Sequence, residues 1–180
     1  MTPPETPPET TSYDDDRRAY SRDALARLVL SRVAVTVADR AGGLVATRND
    51  TDSGPGGRVS QALQLTELAE RTLALAVAYE RERGSSWEDI ARYLDVGEAQ
   101  AQERFAPELA RWEAAFDAPY QLDETGRRRV PQLPAAAYDP DDACRGLDLW
   151  AGLHLTIRDR HAVSAGLRLR IDTLMDTFAC

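Results

Sequence analysis

Cys144, Asp148, His154 and His161 are the residues whose types best suit a metal, and their spacing argues against one. Zinc sites draw on closely spaced Cys and His pairs, and no such pair occurs here. Cys144 and Cys180 are the only cysteines, too few for a disulfide framework, and read as free thiols. Glu88-Asp89 has the look of a carboxylate pair. Its place after Ser85-Ser86-Trp87 makes it a pair of helix-start acids, where the helix dipole favours negative charge. Trp87, Trp112 and Trp150 read as core or interface aromatics rather than a stacking platform for bases. Arg127-Arg128-Arg129, the one basic triplet, reads as a solvated loop that offsets local acid, with phosphate contact as the alternative. No nucleophile–base pair organises the catalytic residue types. The expectation is a binding module with no enzymatic activity, no metal and no cofactor.

The elements that position these residues follow from periodicity. Residues 1–16 contain TPPE twice and end in Asp14-Asp15-Asp16, a composition too poor in apolar residues to fold, so a disordered acidic tail is expected. Thr2 and Thr6 precede prolines and leave a regulatory role for that tail open. Residues 17–59 hold an N-terminal helix and a linker. Ser21 caps the helix; Leu25, Leu28, Val29, Val33 and Val37 recur at three- and four-residue steps; Gly42-Gly43 ends it. A strand over 33–37 is the minority reading. Within 60–116, Ser60 is a cap, Leu65, Leu68, Thr72, Leu75 and Tyr79 form one stripe, and Gly84 stops the helix. Residues 117–140 are broken by four prolines and read as an irregular loop. Asp139-Pro140-Asp141-Asp142 starts a further helix. The stretch 141–180 is read as helical, although Leu153, Leu155 and Ile157 also alternate like a strand.

The fold class expected is therefore all-α. At 180 residues, 43% hydrophobic, the chain can bury one core, and no run approaches the roughly 18 apolar residues of a membrane span. The N-terminus has neither the basic start nor the apolar run of a signal peptide, so a cytoplasmic location is expected. All 22 basic residues are arginine, and the net charge is -8. Residues 17–59 carry eight Arg against four Asp, whereas 60–116 carry six Arg against eleven acids. A nucleic-acid binder usually shows a basic stripe, and none of any length is present.

Residues 86–105, SWEDIARYLDVGEAQAQERF, resemble a helix-turn-helix of the kind found in small bacterial regulators and in the promoter-reading domain of sigma factors. Ile90, Ala91 and Leu94 match the inward positions of the first helix, Val96 the turn plug, and Ala101 and Phe105 the inward positions of the second. The preceding helix supplies the third side of a trihelical core over 60–116. Asp95 stands where the family usually has Gly, and Gly97 where it usually has Ser or Thr. The resemblance implies a small regulator that binds DNA, with Gln100, Gln102 and Arg104 toward bases and Ser86 and Arg92 toward phosphate. A dimer would set two recognition helices about 34 Å apart. The segment holds two Arg against five acids, which motivates the alternative: a helix-turn-helix fold that docks a protein partner with a basic surface. Finally, Leu167, Ile171, Leu174 and Phe178 form a stripe expected to meet a subunit interface, as in a homodimer, or the central unit.

Overall fold

The computed structural model describes residues 12–47, 50 and 54–168. Among them are seven α-helices and a single two-stranded hairpin, so the chain is all-α, as its periodicities predict. None of the helices is long and apolar enough to cross a membrane.

Helix α1 (Ser12–Arg18) begins inside the stretch expected to be a tail. Its acids are held in place: Asp14 takes Arg17 at 2.8 Å and Arg129 at 2.9 Å, which offsets the self-repulsion of the acid run. Residues 1–11 lie outside the described residues. Helix α2 (Arg22–Val45) starts at Ser21, whose side chain accepts from the Ala24 amide. It runs through Gly42-Gly43, which weaken a helix without forbidding it. Helix α3 (Gly57–Glu82) starts about one turn earlier than Ser60, because Gly56 adopts a left-handed conformation (φ 83°) and turns the chain there. Gly84 (φ 88°) ends it: the Ser85 amide reaches back to the Glu80 carbonyl at 3.0 Å, closing the last turn.

Helices α4 (Trp87–Leu94) and α5 (Glu98–Asp117) follow, and then β1 (Tyr120–Leu122) and β2 (Arg129–Pro131), antiparallel with Gln121 opposite Val130. The hairpin replaces part of the expected irregular loop. Its turn is built by Asp123, whose carboxylate accepts from the amides of Thr125, Arg127 and Arg128. Helix α6 (Ala135–Tyr138) leads into α7 (Pro140–His154), which starts as the sequence predicts, with Asp139 accepting from the Asp142 amide at 3.0 Å.

The main core lies where α2 meets α3, α6 and α7: Leu25, Leu28, Val29, Leu75, Trp112, Ala137, Cys144 and Leu147 are buried together. A second, smaller cluster of Val77, Ile90 and Phe105 joins α3, α4 and α5 into a three-helix unit. Trp112 is buried in the main core, while Trp87 and Trp150 are half-buried, so none of the three forms an open platform.

The C-terminal expectation needs correcting. Helix stops at His154, and residues 155–168 carry only a short 3-10 turn at Ser164–Gly166 and a bridge from Arg168 to Tyr20. Asp148 on α7 holds the returning chain instead, accepting from the Val163 amide (2.8 Å), the Ser164 amide (3.2 Å) and the Ser164 hydroxyl (2.6 Å). Leu153, Leu155 and Ile157 are exposed there, so their alternation marks neither a buried strand nor a buried helix face. Leu167 is half-buried against the main core. Ile171, Leu174 and Phe178 lie outside the described residues.

Candidate functional site

Helix α4 is locally determined. The Ser86 hydroxyl accepts from the Asp89 amide (3.0 Å), and the Asp89 carboxylate accepts from the Ser86 amide (3.2 Å) and hydroxyl (2.6 Å). This reciprocal cap satisfies two amides that have no partner within the helix. The same Ser86 hydrogen bonds hold the Asp89 carboxyl below the usual carboxylate range. Helix α4 ends at Asp95, the one described non-glycine residue with positive φ (φ 55°, ψ 44°). Asp tolerates this left-handed conformation better than most residues, and the Val96 amide closes on the Ala91 carbonyl at 3.2 Å. Gly97 then opens α5 without a side-chain cap.

The inward residues of α4 and α5 are Ile90, Ala91, Ala101 and Phe105, all buried. Leu73, Ala74, Trp87 and Leu94 close around the Val77–Ile90–Phe105 cluster. Small Ala91 and Ala101 let the two helices approach.

The outward face is different in kind. Glu88, Asp89, Asp95, Glu98 and Glu103 are all exposed, and the two arginines among them do not oppose them freely. Arg92 lies 3.6 Å from Glu88 and 3.7 Å from Asp89, and Arg104 lies over the Phe105 ring at 5.1 Å. Ser86 spends its hydroxyl on the cap. Gln100 and Gln102 are exposed, but two residues of helix separate them by about 200°, so they flank the buried line from Ala101 to Phe105 on opposite sides. Gln100 and Arg104, four apart, share one side. The residue aimed most directly outward is Glu103, about 200° from Ala101. Of the three candidates on α5, Gln100 and Arg104 thus share a side that Gln102 does not.

The arginines of the N-terminal segment are engaged by acids. Arg17 and Arg129 hold Asp14, Arg18 holds Asp15 at 3.1 Å, and Arg22 holds Glu82 at 2.7 Å and Glu113 at 2.9 Å. Arg127 and Arg128 are exposed at the tip of the hairpin, beyond the C-terminal end of α5. Helix α5 is about 30 Å long at 1.5 Å per residue, so that tip follows the end remote from Gln100.

One residue of this face was not among the sequence candidates. Tyr93 is 90% exposed, and it borders a groove of about 380 Å³ between α3 and α4. Leu73, Val77, Ile90 and Leu94 give the groove an apolar floor, and Glu80 and Asp89 give it an acidic edge. The signal lay in the helical wheel: Tyr93 falls off the Ile90–Ala91–Leu94 stripe, where an aromatic is not needed for the core.

Three of the four possible metal ligands share one groove. Cys144, Asp148 and His161 line a separate groove beside α7, with His161 Nδ1 3.9 Å from Asp148, while His154 Nδ1 lies 3.0 Å from the Trp150 carbonyl. No group of three His, Cys, Asp or Glu among the described residues is placed to hold a metal ion. No family model, curated protein or solved structure matches this chain.

Proposed function

We propose that this protein acts by docking a protein partner, and that the partner presents a basic surface to the acidic face of α4 and α5. The observation that carries the reading is the setting of Tyr93: a nearly fully exposed aromatic beside an apolar groove whose edge carries Glu80 and Asp89. Interfaces concentrate their energy in aromatic and arginine anchors that fill pockets. An arginine or lysine of the partner would lay its stem on the Leu73–Ile90 floor and its charge against Glu80 and Asp89. Complementary charge speeds encounter and excludes wrong partners more than it adds affinity. In this role the unit resembling a helix-turn-helix is a scaffold, consistent with folds serving more than one function.

The test places a photo-crosslinking residue at Tyr93 in the full chain, expressed in cells. The expected result is one discrete protein adduct, lost when Glu80 is changed to Lys. Adducts to DNA, or a protein adduct indifferent to the charge reversal, would overturn the reading.

A second reading, a DNA-binding regulator working as a dimer, draws support from the short turn at Asp95–Gly97 and the open N-terminus of α5. It is tested by titrating the protein against genomic fragments at low salt. Binding tighter than an acidic control protein, with a steep salt slope, favours it over the protein-docking reading.

A further inference from the structure

We propose, resting on the protein-docking reading of the α3–α4 groove, that the basic surface which meets Tyr93 belongs to a second copy of this chain and is its β1–β2 hairpin.

The hairpin carries the charge such a contact needs. Leu122 stands opposite Arg129, and the Asp123 amide donates to the Arg128 carbonyl at 2.8 Å, so the register continues one pair beyond the strands. Side chains alternate between the two faces along a strand, which sorts these residues. Arg129 is turned toward the body of the protein: it lies 4.0 Å from the centre of the Tyr120 ring and holds Asp14. Arg128 and Val130, one residue to either side, take the other face, and both are exposed. Asp123 spends its carboxylate on the amides of Thr125, Arg127 and Arg128. The tip is left with Arg127 and Arg128 against Glu124, and neither arginine has an ion-pair partner among the described residues.

The groove offers the converse: an apolar floor that includes Val77, and an edge of Glu80 and Asp89. Val77 and Glu80 are about 5 Å apart along α3, and Val130 and Arg128 about 7 Å apart along their strand. With Val130 on the floor, the Arg128 guanidinium therefore reaches the two carboxylates and lies against the exposed Tyr93 ring, a favourable cation–aromatic contact. Glu80 already accepts from the Ser85 hydroxyl at 2.7 Å, and Asp89 from Ser86. Each carboxylate has about four acceptor sites, so both can take a further donor. No hairpin residue lines the groove of its own chain, so every copy carries both halves of the contact with neither half matched.

The test is sedimentation velocity of the full chain over a concentration series at low and high salt. Self-association is expected, weakening as salt screens the charges. Changing Arg127 and Arg128 together to Glu should raise the self-association Kd by about tenfold or more, and Glu80→Lys should do the same from the groove side. Glu80 also holds Ser85, so the hairpin variant, whose altered side chains hold nothing else among the described residues, keeps the test independent of local unfolding. One variant retains the groove and the other the hairpin, so mixing them should restore association. A chain monomeric at every concentration, or self-association indifferent to the hairpin change, overturns the proposal. So does a mixture that restores nothing although both variants melt as the wild type does. The crosslink from Tyr93 separates self-docking from docking in general. An adduct of twice the chain mass supports self-docking. An adduct to a different protein, with this chain monomeric, overturns it and leaves the protein-docking reading standing.

Discussion

Truncating Phe105 to Ala tests whether the α3–α4–α5 unit is held by its own small cluster. Phe105 is 4% exposed, and among the described residues the other buried members of its cluster are Val77 and Ile90. Buried Phe→Ala changes cost about 3–5 kcal/mol through lost transfer energy and the cavity left behind. The lower half of that range applies, because the cluster is peripheral and α4 is only eight residues long, so the site can partly collapse. About 3–4 kcal/mol corresponds to a fall in Tm of about 6–16 °C for a chain of this size. Calorimetry of Phe105→Ala beside Tyr93→Ala measures it, since an exposed residue should shift stability by no more than about 0.5 kcal/mol. Hydrogen exchange locates it: amides of Ile90–Leu94 should lose protection while those of Leu25–Val33 in α2 keep theirs. Equal shifts for the two variants, or uniform loss of protection through α2, would refute the division into two clusters.

Further outcomes follow from single contacts. Asp95 sits in the left-handed region, so Asp95→Val should cost about 1–2 kcal/mol while Asp95→Gly stays near wild type, read from urea midpoints; equal midpoints would contradict the turn geometry. Burial raises the Asp148 pKa, but the Ser164 hydroxyl and the Val163 and Ser164 amides outweigh it and hold the carboxyl below its ordinary range. Its stabilisation is then complete above the unfolded value of about 3.9 and is lost as pH falls through the lower folded pKa. Asp148→Asn should flatten the acid limb of a stability–pH curve, and an unchanged limb would count against that grip. The double change Glu98→Arg and Glu103→Arg moves residues 86–105 from a net charge of -3 to +1. It should create salt-sensitive duplex binding in a gel-shift titration that the wild type lacks, and wild-type binding of equal strength would remove the electrostatic argument.

What could be read from sequence was what local chemistry decides. Ser21, Ser86 and Asp139 cap helices because their oxygens reach amides three residues on, and Gly84 stops α3 because its φ is positive. Such signals need no knowledge of the rest of the fold. The hairpin escaped because Tyr120 pairs with Pro131 across a turn built by the Asp123 side chain rather than by an Asn-Gly or Asp-Gly dipeptide. The end of α7 escaped for the opposite reason: Leu153, Leu155 and Ile157 are apolar at helix or strand spacing, yet none is buried, so the period carried no information about packing. Charge divides along the same line. The excess of acid in 86–105 is additive and visible in the sequence. Whether Arg17, Arg18, Arg22 and Arg129 stand near it as free cations depends on their partners, and Asp14, Asp15, Glu82 and Glu113 already hold them. Pairing spends those arginines within the fold, a fact the total of -8 does not reveal.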